Sequence, residues 1–238
     1  MGKQNDQTYV GRIGNTIYYE LNGGFYTRAV PAKVRQTKAT KICSKNFAVA
    51  AGANRVLRSL LQPAIPFPKD KKMQNRFGGA IMKWLQLKTP EQLEPATNLP
   101  YLQDFQFNEA TSIRERWKVP LTVNKQMGDV LQLHIPAFIP KEKIAAPAWT
   151  NGIECTIAAA SCNLKNSLTN GNSVQAFTIP YNDTLVPAQN IQLPVRMPAG
   201  SLVVVAVSLT YFVSKKRRQV ATDNIAFMPS GIVAAMYV

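Results

Sequence analysis

Alternating apolar and polar positions open the chain. Residues 8–30, TYVGRIGNTIYYELNGGFYTRAV, fall into three short runs rich in Tyr, Val, Ile and Phe. Gly14-Asn15 and Asn22-Gly23-Gly24 separate them. Asn-Gly between such runs signals a hairpin, because a type I′ turn needs positive φ at both central positions. The pattern predicts a small antiparallel β-meander with Gly14, Asn22, Gly23 and Gly24 at its turns.

The period then changes. SKNFAVAAGANRVLRSLLQ (44–62) places Phe47, Ala50, Ala51 and Leu57 or Leu61 at helical spacing, with Ser44 as a candidate N-cap. Its Ala and Gly content would let a neighbour approach the helix backbone closely. PAIPFPKD (63–70) carries three prolines and ends that helix. A second helix is expected from Asp70, its candidate N-cap, with Met73, Phe77, Ala80 or Ile81, and Trp84 on one face. The two form an αα-hairpin.

A polar, proline-bearing connector follows over 89–103. Seven or so apolar stretches come next, divided by Gly, Pro and Asn turns: KVPLTVNK, DVLQLHIPAFIP, GIECTIAAASCNL, SVQAFTIP, NIQLPVRMP, SLVVVAVSLTYFV and NIAFMPSGIVAAMYV. Short strands of this kind point to an antiparallel β-sandwich, immunoglobulin-like or jelly-roll. The expected class is therefore α+β: a meander and helix pair over 1–88, a linker over 89–103, and a β-sandwich over 104–238.

Charge changes this picture more than composition does. The 238 residues carry a formal net charge of +15. Residues 1–89 hold sixteen Lys or Arg against three Asp or Glu, a net of +13. Residues 90–238 hold twelve against ten, a net of +2. Between Glu20 and Asp70 there is no acid at all, against nine cations. So basic a region attracts polyanions or acidic protein surfaces through salt-sensitive forces. Lys38, Lys41 and Lys45 recur at helical steps, and Arg55 and Arg58 continue near that side. With Arg35 they are the candidate contact residues, for another subunit or for a polyanion. SKKRRQ (214–219) is a second basic cluster, readable as a partner contact or as a charged loop that keeps two apolar strands soluble.

Signatures of enzymatic chemistry are missing from the sequence. The single histidine, His134, sits in a strand-like stretch and reads as a structural residue. No Walker loop, dinucleotide fingerprint, nucleophile elbow or EF-hand occurs. No catalytic, cofactor-binding or metal-ligating residues are therefore assigned, and no cofactor is expected. Cys43, Cys155 and Cys162 read as three small buried hydrophobes, although Cys155 and Cys162 could oppose each other across a hairpin. The opening MGKQNDQTYVG lacks the apolar stretch of a signal peptide. The longest apolar run, Leu202 to Val213, is too short to span a bilayer as a helix. Synthesis in the cytoplasm and no membrane span are expected. The last strand, SGIVAAMYV, stays apolar to its end. It is either buried at home or added to another subunit's sheet.

One resemblance bears on residues 11–86. GRIGNTIYYELNGGFYTRAVPAKVRQTKATKICSKNFAVAAGANRVLRSLL and KDKKMQNRFGGAIMKWLQ resemble a group of uncharacterised proteins from Bacteroidota and their mobile elements. The shared pattern is a Gly-Ile-Gly-Asn-like turn, an aromatic strand, an Asn-Gly-Gly hairpin, an Arg, and a basic entry into a small-residue helix. That resemblance implies no site residues. Its phage-like architecture implies a structural role.

The expected function is thus a non-enzymatic structural protein that self-assembles into a filament, tube or virion-like particle through a basic N-terminal arm. Its partners are copies of itself, and the assembled particle is its final location. The alternative is a nonspecific nucleic-acid-binding protein. A weaker third reading is an enzyme built from scattered carboxylates.

Overall fold

Runs of Val, Ile, Ala and Leu on long strands need cover on both faces, and this chain supplies it from two sources. The computed structural model describes residues 3–5, 8–30, 36–65, 72–86, 88, 90–96, 98–215, 218–222 and 224–238. It is a mixed helix and sheet protein with mostly antiparallel strands in three sheets. Two compact units comprise Met1–Lys41 and Ile42–Val238.

In the first unit, β1 (Lys3–Asn5), β2 (Thr8–Ile13), β3 (Thr16–Leu21) and β4 (Gly24–Ala29) form one antiparallel sheet in sequence order. Asn22 and Gly23 take φ of 51° and 77°, so both central turn residues lie in the left-handed region that a type I′ turn requires. Gly24 is not a turn residue. It begins β4, opposite Leu21, and its missing side chain leaves room for the Tyr26 ring.

Helix α1 (Lys38–Leu60) runs across the boundary between the units. It starts earlier than Ser44. Thr37 Oγ1 accepts from the Thr40 amide at 3.1 Å, so Thr37 does the capping. Helix α2 (Met73–Leu85) buries Met73, Phe77, Ala80, Ile81 and Leu85. Its proposed cap, Asp70, lies outside the described residues. The phase of α1 differs from expectation: Phe47 and Ala51 are exposed, whereas Asn46 and Asn54 are buried. Hydrogen bonding explains the exchange. Asn46 Nδ2 donates to the Gln86 and Lys88 carbonyls at 2.8 and 2.7 Å, beyond the last turn of α2. Asn54 Nδ2 donates to the Gln74 carbonyl at 2.9 Å, near the first turn. Two buried amides therefore hold both ends of α2 to α1.

Short helices α3 (Ile113–Arg116) and α4 (Pro140–Lys143) punctuate the rest. β5 (Thr122–Gln126), β6 (Val130–Ile135) and β9 (Gln189–Pro194) make a three-stranded sheet in the order β5-β6-β9. β7 (Thr150–Asn163), β8 (Thr169–Pro180), β10 (Ser201–Lys215), β11 (Arg218–Ala221) and β12 (Ser230–Tyr237) make a five-stranded one. Its centre is the long β7–β10 pair, in register from Asn163↔Ser201 to Gly152↔Phe212, with a shift before Thr150↔Val213. β12 pairs with Leu202–Ser208 of β10, and β11 with Phe212–Lys215.

Alternation along this pair feeds two apolar clusters. Val203, Val205, Val207, Cys155 and Ile157 join Leu131, Leu133 and Leu193 of the three-stranded sheet. Leu202, Val204, Ala206, Ala158 and Ala160 join Leu57, Leu61, Phe77 and Ile81 of the two helices. Small residues allow the close helix–sheet approach. A Cβ at Gly52 would collide with Ser167, between β7 and β8. From Ile42 onward, α1 and α2 share a compact unit with the β-rich remainder. Their apolar faces are consumed in covering the five-stranded sheet.

Candidate interaction surface

The first unit sorts its side chains by register. Gly11↔Tyr18↔Thr27 and Arg12↔Ile17↔Arg28 lie opposite one another, and successive residues point to opposite faces. One face carries Tyr9, Ile13, Tyr18 and Phe25 with Glu20. The other carries Val10, Ile17, Tyr19, Leu21 and Tyr26 with Arg12 and Arg28. Ring contacts agree with this division. Tyr9 and Tyr18 lie 6.2 Å apart on the first face, and Tyr19 and Tyr26 stack at 5.8 Å on the second. There the Arg28 guanidinium sits 5.6 Å above the Tyr19 ring.

Neither face is buried. Among the described residues from Tyr9 to Lys45, none is buried. Exposure of the six large apolar residues Tyr9, Val10, Ile13, Leu21, Phe25 and Tyr26 runs from 38% to 56%. A soluble single-layer sheet normally hides at least one apolar face. This one presents two.

The candidate cations are distributed along α1. Arg35 lies outside the described residues. Lys38 and Lys41 close the first unit, and Lys45, Arg55 and Arg58 belong to the second. Lys38, Lys41, Lys45 and Arg55 are exposed, and Arg58 is half-buried. Arg55 and Arg58 come together at two shallow depressions beside α2, one shared with Gln62, Ile65 and Met73 and the other with Gly52, Asn54 and Gln74. Phe47, two residues beyond Lys45, is 67% exposed and was not read as a surface residue from the sequence. SKKRRQ falls at the β10–β11 turn, where Lys215 opposes Arg218; Lys216 and Arg217 lie outside the described residues.

The single histidine and two of the three cysteines have structural surroundings. His134 Nδ1 donates to Asn190 Oδ1 at 2.8 Å, across the β6–β9 pair. Cys155 and Cys162 do not face each other across a hairpin. They sit on one strand, β7, and point into the two different apolar clusters. Burial pushes the Cys162 thiol up to about 12 and raises Cys155 further, helped by neighbouring Glu154. Cys43 is half-buried, and all three are free thiols. Among the described residues no group of three His, Cys, Asp or Glu could hold a metal ion. One concavity of about 1030 Å³ is lined by residues of β5, Lys125 included, by residues of β12, and by Pro95, Ala96, Asn98 and Gln103.

The apolar end of the chain is accounted for at home. β12 pairs with β10, and its other edge bonds to residues 96–107: the Ile232 amide donates to the Phe105 carbonyl at 2.8 Å, and Tyr237 exchanges bonds of 2.8 and 2.9 Å with Ala96. Among the described residues no helix is long and apolar enough to cross a membrane.

Comparison with protein families, curated proteins and solved structures finds no match to this chain. The surface itself must carry the functional argument.

Proposed function

We propose that the chain is a non-enzymatic structural protein whose copies assemble into a filament, tube or virion-like particle. Its first unit and the basic start of α1 supply the subunit contacts. One observation carries this reading: a four-stranded sheet bears large apolar side chains on both faces and buries none of them. Such surface is costly in water, at about 25 cal/mol for each Å² left uncovered. A neighbouring subunit is the cover that recurs with every copy.

On this reading the first unit is a meander arm, α1 and α2 form an αα-hairpin, and the three- and five-stranded sheets form the rigid body as an antiparallel β-sandwich. Shared burial of Leu131, Leu133 and Leu193 with Val203 and Val205 supports that arrangement. Negative-stain microscopy of the full chain tests the function. Regular particles or fibres are expected, and their loss in Phe25→Glu and Leu21→Glu variants that still fold. Dispersed monomers at every salt concentration would overturn the reading.

Nonspecific nucleic-acid binding is the second reading. It is favoured by Arg28 over the Tyr19–Tyr26 stack, with Arg12 on the same face, because aromatic faces hold bases while cations hold phosphates. A salt-dependent gel shift with mixed-sequence DNA and RNA tests it.

A further inference from the structure

Exposed strand edges are templates for pairing, and proteins guard them with charge, proline or cover. Several edges are guarded among the described residues. β4 carries Arg28 and β5 carries Lys125. β9 has six residues and ends in Pro194. The outer edge of β12 bonds to residues 96–107. β8 has no such guard. It has twelve residues and pairs with β7 from Thr169 to Pro180, with no second strand partner among the described residues.

Charge is absent from this strand altogether. From Asn166 to Asn182 there is no Lys, Arg, Asp or Glu, in a chain of net +15. A register shift beside Gly171 marks one end and Pro180 the other, leaving Asn172–Ile179 as regular edge, about 27 Å long. Asn172, Val174, Gln175, Ala176 and Thr178 are exposed along it.

Neutrality selects the partner. A nucleic acid or an acidic protein gains nothing electrostatic from β8 and is drawn to the cations elsewhere. Two copies of a chain this basic repel each other, so they mate best where neither brings charge to the contact. An antiparallel strand is also self-complementary about a two-fold axis. We propose that β8 pairs with β8 of a second copy, joining two five-stranded sheets into one continuous ten-stranded sheet. This rests on the reading that copies assemble, and it identifies one of the surfaces they use. Salt screens the repulsion between copies, so higher salt strengthens this contact, the reverse of its effect on polyanion binding.

Sedimentation velocity of the full chain, over a wide concentration range at low and high salt, tests the proposal. Val174→Lys/Ala176→Lys puts like charges across the ladder at two exposed positions and is expected to weaken association by more than about tenfold, with circular dichroism and melting unchanged. Val174→Glu/Ala176→Glu does the same alone, and mixing the two variants restores association, which a misfolded variant could not do. If the wild type assembles and both variants assemble equally well, or if mixing restores nothing, β8 is not the contact and the assembly reading stands. If the wild type stays monomeric throughout, both fall.

Discussion

The two units use the same strand-forming residues and put them to opposite ends. In the second unit β10 runs SLVVVAVSL with every residue from Ser201 to Leu209 buried, because helices cover one face and a second sheet covers the other. In the first unit TIYYEL and GFYTRA also form strands, yet no side chain of theirs is buried. Propensity makes a strand in both places. Burial, and therefore stability, comes in only one. The difference teaches that the aromatics of the first unit contribute little to the fold of the lone chain and are available to a partner.

The sharpest way to break this contrast is a pair of phenylalanine deletions. Phe77 is fully buried and meets Phe105 and Phe107 at ring-centroid distances of 5.1 and 5.5 Å. Phe77→Ala is expected to cost about 3–5 kcal/mol in chemical denaturation, since it removes a large side chain and leaves a cavity. Phe25→Ala is expected to stay within about 0.5 kcal/mol. Equal losses would show that the first sheet is covered, and the comparison would collapse.

A smaller loss tests the amides that hold α2. Asn46→Ala leaves the Gln86 and Lys88 carbonyls without their side-chain donor, and Asn54→Ala does the same for the Gln74 carbonyl. Each is expected to cost about 1–3 kcal/mol in the same measurement. A neutral result at both sites would mean that apolar packing alone sets the phase of α1.

These asparagines also mark where the sequence stops being legible. Phe47 and Ala51 fit an apolar helical stripe as well as Ala50 and Leu57 do, so periodicity cannot choose between phases of a helix rich in alanine. The deciding contacts lie 20 to 42 residues away in the chain. Turn chemistry was legible at Asn22-Gly23, where two positive φ values follow from residue type, and so was the apolar stripe Met73, Phe77, Ile81 on α2. The uninterrupted SLVVVAVSL was legible as a strand of a sandwich. What it could not say is that α1 and α2 form one of the covers. On the candidate surface, Lys38, Lys41, Lys45 and Arg55 are exposed as read, whereas Arg58 turns partly into the groove beside α2. The exposed aromatics of the first unit were legible as residues but not as uncovered ones, because exposure depends on what the rest of the chain declines to bury.

Alkaline pH separates the units by a different property. The folded Cys162 thiol is raised to about 12 by burial and Cys155 is raised too, whereas an unfolded thiol ionises near 9. Below pH 9 both states keep the proton and the buried thiols cost nothing. Between 9 and 12 the unfolded chain releases protons that the folded chain retains, so stability falls by up to about 1.4 kcal/mol per pH unit for each thiol. Cys162→Ala is expected to flatten that slope in denaturation series at rising pH. An unchanged slope would mean that Cys162 does not remain protonated in the fold. Thiol labelling complements this: Cys43 should react in the native protein, and Cys155 and Cys162 only after unfolding.

The smallest effect on stability is expected from reversing Lys38, Lys41 and Lys45 to Glu. All three are exposed, and Lys38 and Lys41 lie in the first turn of α1, which has no acid, so negative charge there complements the positive helix end and the cost stays near zero. Function separates the two readings. If the basic stretch docks a polyanion, each lost phosphate contact lowers the slope of log affinity against log salt by about 0.9, and the gel shift weakens in step. If it docks a neighbouring subunit, microscopy shows particles lost or altered while any nucleic-acid binding through Arg12, Arg28 and the Tyr19–Tyr26 stack persists. A variant that both assembles and binds like the wild type would remove the acid-free stretch from the interface and leave the uncovered sheet as the part of the first unit that meets a partner.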